Sequence, residues 1–446
     1  MDIKELTSIV KEKGVAGAGG AGFPTYAKFD KRTDTIILNC AECEPLLKVH
    51  RQLLEKYPFE IMTALNLIAT AVNAKQIVIA VKKGYKKTIE AVKSYHESFP
   101  SIELKLLPEV YPMGDEVVLT YEVTGKVIPP GSIPIEVGVT VFNVETVLNI
   151  YKAVMQDEPV YTKYLTIVGE VNKPTTVKVP IGMSVQEVLT LAGDVIIKEP
   201  IYIMGGPMTG KIVNPYDTIT KTTNAIIVLP KEHYVIRKLL SNTSIDMKRA
   251  MSVCCQCAMC TDLCPRHQLG LPITPNMFMR GVTSGVTKDI STYVNTMFCC
   301  GCGICEMYAC PQELSPRKLI TEYKNGLRKN GVAMPKGIPL KEVEGMREYR
   351  KIPMERLIKR LGLHNYDLDA PLVDEDVSIN QVKISFGQHI GAKSRAIVKK
   401  GDMVNTGEKI AVAEEGALSI PIHASISGEI MDINTEFIII KREVVK

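Results

Sequence analysis

Eight of the twelve cysteines in this 446-residue chain fall into two runs of nearly the same spacing. The first is Cys254-x2-Cys257-x2-Cys260-x3-Cys264, followed by Pro265. The second is Cys299-x2-Cys302-x2-Cys305-x4-Cys310, followed by Pro311. Thiols at this spacing converge on the corners of an iron–sulfur cube, and the trailing proline turns the chain away from it. Zinc is the rival reading, but zinc sites usually take paired C-x2-C knuckles separated by a longer loop. Three cysteines at successive two-residue gaps favour two [4Fe–4S] clusters, and hence one-electron transfer. Where two such runs share a domain, the fourth cysteine of each ligates the other cluster. On that rule Cys254, Cys257, Cys260 and Cys310 hold one cube, and Cys299, Cys302, Cys305 and Cys264 hold the second. The final gaps are unequal, and each run carries a spare thiol, Cys255 or Cys300. These spares read as small buried hydrophobes, the common state of a free cysteine.

The rest of the chain bounds the setting. Its length predicts two to four domains. Cysteines grouped at C-x2-C spacing, with no secretion signal at the N-terminus, predict a reducing interior and metal ligation over disulfides. The opening MDIKELTSIVKEKG reads as a polar helix, and no run of about 18 apolar residues predicts a spanning segment. A net charge of +5 gives no warrant for nucleic-acid binding.

Residues 35–107 alternate short β-rich runs with helical patterns, as in a parallel sheet covered on both faces. Strands are predicted at Thr35–Leu38, Ile77–Val81 and Ile102–Leu107, with helices at Glu60–Val72, Lys86–Ser94 and Val144–Met155. Composition shifts near residue 160. Leu165–Val171, Thr176–Val179, Ile201–Met204 and Ala225–Leu229 read as strands, around a helix that Ser184 caps. Residues 331–378 read as a partly helical connector. From Lys383 to Lys441, short strands punctuated by glycines predict a compact β module.

The segment Gly17-Ala18-Gly19-Gly20-Ala21-Gly22-Phe23-Pro24-Thr25 contains a G-x-G-x-x-G, which alone is weak. No strand precedes it, and Pro24 interrupts the helix that a dinucleotide fingerprint needs. Lys28 lies just downstream, where it is placed to neutralise a phosphate approached by bare glycine amides. Asn39-Cys40-Ala41-Glu42-Cys43-Glu44-Pro45 then ends the first strand, where open α/β sheets place ligands.

These residues resemble a known family. Gly17–Lys28 is similar to the flavin-binding loop of the FMN/NADH subunit of respiratory complex I, departing at Ala18 (arginine there), Tyr26 and Ala27. Asn39–Pro45 resembles its acidic motif, with Cys40, Ala41 and Cys43 replacing Ala, Asp and Ser. Tyr111-Pro112-Met113-Gly114-Asp115-Glu116 resembles its Gly-Glu-Glu segment, and Asn143-Val144-Glu145-Thr146 its Asn-Val-Glu-Thr. Gly205-Gly206-Pro207-Met208 followed by two cubane runs resembles the RnfC branch. There the β module beginning Gln-His-Ile-Gly-Ala comes first, whereas here Gln388–Ala392 lies near the C-terminal end. That order resembles the cobalamin reductases of propanediol-utilisation microcompartments.

The resemblance implies a multidomain α/β chain. A Rossmann-like FMN/NADH-binding domain covers 1–158 and a β-grasp (SLBB) module 159–235. A ferredoxin-like double [4Fe–4S] domain covers 240–330, followed by the connector 331–378 and a barrel-sandwich-like β module at 379–446. It implies FMN held by Gly17, Gly19, Lys28, Asn39, Glu42 and Asn143, with NADH entering beside Phe23, Glu44, Gly114 and Glu116. Loss of the acid at Ala41 predicts looser flavin binding, whereas the cationic contact missing at Ala18 is one that Lys28 can supply. No side chain need act as a general acid.

A hydride carries two electrons and a cubane accepts one, so a flavin between them gives the modules a reason to share a chain. The expected reaction is NADH oxidation with delivery of electrons to cobalamin. Expected partners are cobalamin or a cobalamin-handling protein, with a microcompartment shell or an adenosyltransferase as neighbours. The expected setting is the cytoplasm or the interior of a bacterial microcompartment. Two rival roles stand beside it: the electron-input subunit of an ion-translocating ferredoxin:NAD complex, and a relay to another soluble reductase. Four smaller features read as structural. They are Cys40-x2-Cys43 as fortuitous small residues, Lys82–Lys87 as a solvated loop, and His267 and the pair His389 and His423 as ordinary histidines.

Overall fold

The structure is a computed structural model that describes residues 1–285 and 288–442. Its first unit is built on four parallel strands, β1 (Thr35–Cys40), β2 (Gln76–Lys82), β3 (Ile102–Leu107) and β4 (Val139–Asn143), in the order β3-β2-β1-β4. Alternation along β1 sends its side chains to two different cores. Ile36 and Leu38 pack with the helices Ile3–Glu12, Pro58–Val72 and Val144–Met155. Ile37 faces the helix Glu116–Thr124 and, beyond it, Leu269, Leu271, Ile273 and Phe298 of the cysteine region. The cysteine region is therefore part of the second cover of the flavin-type sheet.

The fourth strand is not legible in the sequence. Its five residues follow directly on the turn-rich stretch from Pro129 to Gly138, which masks so short a run. It matters because the chain steps from β1 to β2 and β3 on one side, then returns to β4 on the other. The crevice between β1 and β4 is thus the topological switch point, where open α/β sheets bind ligands. Asn39 and Asn143 pair across it.

The second unit is a six-stranded sheet with strands in the order 372–373, 175–180, 162–169, 225–230, 200–204, 211–213. Ser184 closes a capping box with Glu187 at the start of its helix, as its sequence position predicts. The connector is more than a linker. Leu372–Val373 adds an edge strand to this sheet, and Ile352–Pro353 pairs with Val110–Tyr111. Short helices then carry the cysteines, ending in Pro316–Lys329. Two small antiparallel sheets form the C-terminal module, and its Ile384, Ile410, Ile430 and Ile440 join the main core.

Two buried polar ties join the first unit to the second. Glu145 and Lys163 form an ion pair in which each side chain is 1% exposed. Its spare atoms are satisfied: Glu145 Oε1 accepts the Tyr164 N–H (3.1 Å), and Lys163 Nζ donates to Asn224 Oδ1 (2.9 Å). At the second tie, Glu44 accepts the Met208 N–H (2.9 Å) and the Thr209 hydroxyl (2.6 Å). Burial raises the pKa of this carboxyl above 4.5.

Removing one member of a buried pair strands the other charge. Lys163→Met is therefore expected to cost about 3–5 kcal/mol in a denaturant titration, and a midpoint equal to the parent's would refute that role. For Glu44, the folded state holds its proton more tightly than the unfolded chain, so its contribution is greatest at low pH and declines as pH rises past 4.5. Relative to Glu44→Gln, the parent should thus lose stability as pH is raised from 4.5 upward. A difference flat across that range would contradict it.

Candidate redox centres

The glycine-rich segment folds back on itself as a closed loop at the switch point. Gly17 N–H donates to Phe23 O (2.9 Å), Ala16 bridges Pro24, and Ala18 N–H donates to Thr146 Oγ1 (2.9 Å). Gly19 lies against two amides: a Cβ there would fall 2.7 Å from Asn224 Nδ2 and 3.2 Å from Asn143 Nδ2. Asn39 Nδ2 donates to Gly114 O (3.0 Å), and Asn39 Oδ1 accepts the Ala41 N–H (3.0 Å). Lys28 Nζ donates to Val141 O (2.8 Å) and stands 3.5 Å from Glu116. Gly17, Gly19, Lys28, Asn39, Gly114, Glu116 and Asn143 are therefore linked around one crevice.

Glu42 follows the end of β1 by two residues, with Oε1 taking the His50 N–H (3.2 Å). Its Oε2 is buried and has no partner, as is Thr25 Oγ1 on the loop. An unpartnered carboxylate oxygen and hydroxyl suit the hydroxyl and N–H donors of a polyhydroxylated group such as FMN. Phe23 is exposed at the loop's tip. Glu44 departs from the expected nucleotide set, because both carboxylate oxygens are committed to the β-grasp loop at Met208 and Thr209.

Three contributors escape sequence reading. Thr146 belongs to the Asn-Val-Glu-Thr segment, so a signal exists for it. Asn224 has none, since it arrives from the second unit. Lys82 opens a charge run that predicts a solvated loop, but it is 2% exposed and donates to Glu42 O (2.7 Å). The lysine stem ends a strand buried on both faces, which the charge run conceals.

The two cysteine loops share one backbone. Gln256 and Ala258 take positive φ (54° and 61°), and Gly301 and Gly303, at the same offsets from Cys254 and Cys299, take 74° and 81°. Alternation of this kind turns successive amides toward a common centre. Cys254, Cys257, Cys260 and Cys310 line one cavity. Cys264, Cys299, Cys302 and Cys305 line another. Each cavity has an amide–sulfur bond of 3.3 Å, Leu314 N–H to Cys310 Sγ in the first and Gly301 N–H to Cys299 Sγ in the second. The extra residue of the second run lies in the turn at Tyr308–Ala309, after the helix Ile304–Met307.

Among the described residues, no three His, Cys, Asp or Glu side chains converge on a point suited to one ion. Four thiols spread around a cavity wall suit a cube, whose corners each take one cysteine. Burial pushes Cys260 and Cys264 up to about 12 and Cys299 to about 11, so cluster assembly must displace their protons.

The spare thiols depart from expectation: Cys255 and Cys300 are both exposed, at the mouths of the two cavities. Both still line their cavities, and the Cys300 thiol lies against Cys302 and Arg266. Cys40 is fully buried with its thiol shifted strongly upward, and burial raises Cys43 to about 12, which suits inert thiols and not a redox pair. His267 is bonded to Ile273 O (3.0 Å). Burial draws His423 down to about 3, so it stays neutral.

Comparison with known proteins finds four families along the chain. The Nuo51 FMN-binding domain matches residues 10–152, the SLBB domain 164–211, the 4Fe-4S dicluster domain 253–315, and the RnfC barrel sandwich hybrid domain 371–445. The NAD+-reducing [NiFe]-hydrogenase in its H2-reduced state shares the fold, at 19% identity and a TM-score of 0.50. That match covers 76% of this chain and 64% of the hydrogenase chain. One component of the ion-translocating oxidoreductase complex of Yersinia enterocolitica is 30% identical over 59% of this chain and 37% of its own. Cobalamin reductase PduS of Citrobacter freundii is 39% identical over 99% of this chain and 97% of its own length. PduS of Salmonella typhimurium is 40% identical over 98% of this chain and 96% of its own length. With similarity at that level along the full length, the chain belongs to the PduS cobalamin reductase family.

Proposed function

We propose that this protein oxidises NADH and passes the electrons one at a time to cobalamin, as a cob(III)alamin and cob(II)alamin reductase. FMN bound in the crevice would accept hydride, and two [4Fe–4S] clusters would carry single electrons onward. Gly17, Gly19, Lys28, Asn39, Glu42 and Asn143 would hold the flavin, with Lys28 offsetting phosphate charge. Phe23, Gly114 and Glu116 would line the nicotinamide's approach, and Glu44 would keep the β-grasp loop seated beside them.

The observation that carries this reading is the order of the sites. The cavity of Cys264, Cys299, Cys302 and Cys305 lies against the flavin unit, where Tyr111 OH donates to Cys302 O (2.6 Å) and Arg266 pairs with Asp115 (2.8 Å). The cavity of Cys254, Cys257, Cys260 and Cys310 lies farther out, with Cys255 and Cys257 exposed. Electrons would enter at the inner cavity and leave at the outer one. The role within a membrane complex is less well supported, since that similarity reaches 59% of the chain. Among the described residues no helix is long and apolar enough to cross a membrane. The same reading makes a cobalamin-handling protein such as an adenosyltransferase a partner, and a microcompartment shell a neighbour, which co-sedimentation with shell fractions would test.

Protein reconstituted anaerobically with FMN, iron and sulfide should reduce cob(III)alamin at the expense of NADH, followed by corrin absorbance. A fully loaded protein that oxidises no NADH would overturn the proposal. Gly19→Ala pushes a methyl into Asn224 and should weaken flavin retention by about tenfold, close to 1.4 kcal/mol. Cys257→Ser should spare NADH-dependent flavin bleaching while corrin reduction falls by at least about tenfold.

A further inference from the structure

The two thiol-lined cavities have unequal electrostatic surroundings. Among the described residues lining the outer cavity, the polar side chains besides the cysteines are Gln256, Asn276 and Gln312, all neutral. Arg266 and Arg317 line the inner cavity. Lys324 approaches it as well, bonded to Cys299 O (2.6 Å). Arg317 is already spoken for, with Glu306 at 3.1 Å and Met208 O as its partners. Arg266 is not. One end of its guanidinium meets Asp115 (2.8 Å), while Nε is buried with no partner. Arg266 lines the cavity and Asp115 does not, so the positive member of this pair is the nearer one.

We propose that Arg266 sets the reduction potential of the inner cluster, holding it above that of the outer cluster, while Asp115 ties that setting to the flavin unit. This rests on the reading that the cavities hold clusters. A cubane gains one negative charge on reduction, and an adjacent cation in a water-poor site stabilises the reduced form. A buried N–H aimed at cluster sulfur acts in the same direction. Each cavity has one amide–sulfur bond of equal length, so those bonds do not distinguish the clusters; the charges do. Asp115 also caps the helix Glu116–Thr124 by accepting the Val117 and Val118 N–H groups (3.1 and 3.2 Å), which fixes the pair to the segment that follows Gly114. The inner cluster is then the first acceptor, and the outer cluster a less readily reduced exit.

The test is a redox titration followed by paramagnetic resonance on the reconstituted full-length protein, with iron and sulfide assayed in each sample. A parallel set carries Cys257→Ser, so that the inner cluster is read alone. The parent should show two potentials, with the inner higher. Arg266→Gln should move only the inner one downward, by about tenfold in the reduced-to-oxidised ratio at fixed potential, equivalent to 59 mV for one electron. Arg266→Lys should restore much of that shift. Asp115→Asn, which keeps a capping oxygen but loses the opposing charge, should move the inner potential upward. Opposite signs for the two variants cannot arise from loosened packing. Equal parental potentials, no shift in Arg266→Gln, or shifts of the same sign in both variants would overturn the proposal. Absence of cluster iron and signal in the parent would overturn the cluster reading itself, and the proposal with it.

Discussion

The packing of the cysteine region against the second face of the flavin-type sheet is the contact on which the rest depends. Ile37, Val139 and Val141 on that face share one buried cluster with Val117, Val118 and Leu119 of the helix Glu116–Thr124 and with Leu269, Leu271, Ile273 and Phe298, so one apolar layer serves two functional units. Burial of such side chains is worth about 1.5–3 kcal/mol each, enough to hold the units at a fixed separation without a covalent or polar clamp. The polar ties at Tyr111–Cys302 and Asp115–Arg266 then orient what the apolar layer has brought together. The cysteine region, together with the helix Glu116–Thr124, covers that face.

That arrangement also explains which parts of the flavin-type unit are legible in the sequence. Gly17–Thr25 and Asn39–Pro45 are contiguous, and their chemistry is local: bare amides, a lysine, and an acid at a strand end. Parallel β1 to β3 are readable because strands buried on both faces are nearly unbroken apolar runs. The strand Val139–Asn143 is not, being short and bordered by turn residues, although its partner Asn39 makes it half of the crevice. Asn224, Lys82 and the Glu44–Met208 bond lie outside sequence reading for a different reason. They depend on a second unit folding onto the first, and no local pattern records that docking. A charge run likewise cannot show that Lys82 is internal while Lys83 is exposed.

The cysteine spacing carries the most information and still conceals one distinction. Both loops adopt the same alternating backbone, yet the outer one uses Gln256 and Ala258 where the inner one uses Gly301 and Gly303. A non-glycine residue in that left-handed region costs about 1–2 kcal/mol. The outer loop can accept it because its side chains have room: Gln256 is exposed and Ala258 half-buried. At Gly303 there is no room, since a Cβ would stand 3.0 Å from Arg317 Nη1 and 3.3 Å from Met208 Cε.

Glycine at 303 is thus the steric consequence of packing a cluster loop against a cation and the β-grasp unit, and the arginines at that cavity are largely buried. Burial of those side chains strengthens the effect of their charges. Backbone permissiveness in one loop and electrostatic asymmetry between the two centres therefore have a common origin. A loop packed against neither Arg317 nor Met208 would need no glycine at 303, and it would lack the charge that Arg317 brings to the cavity.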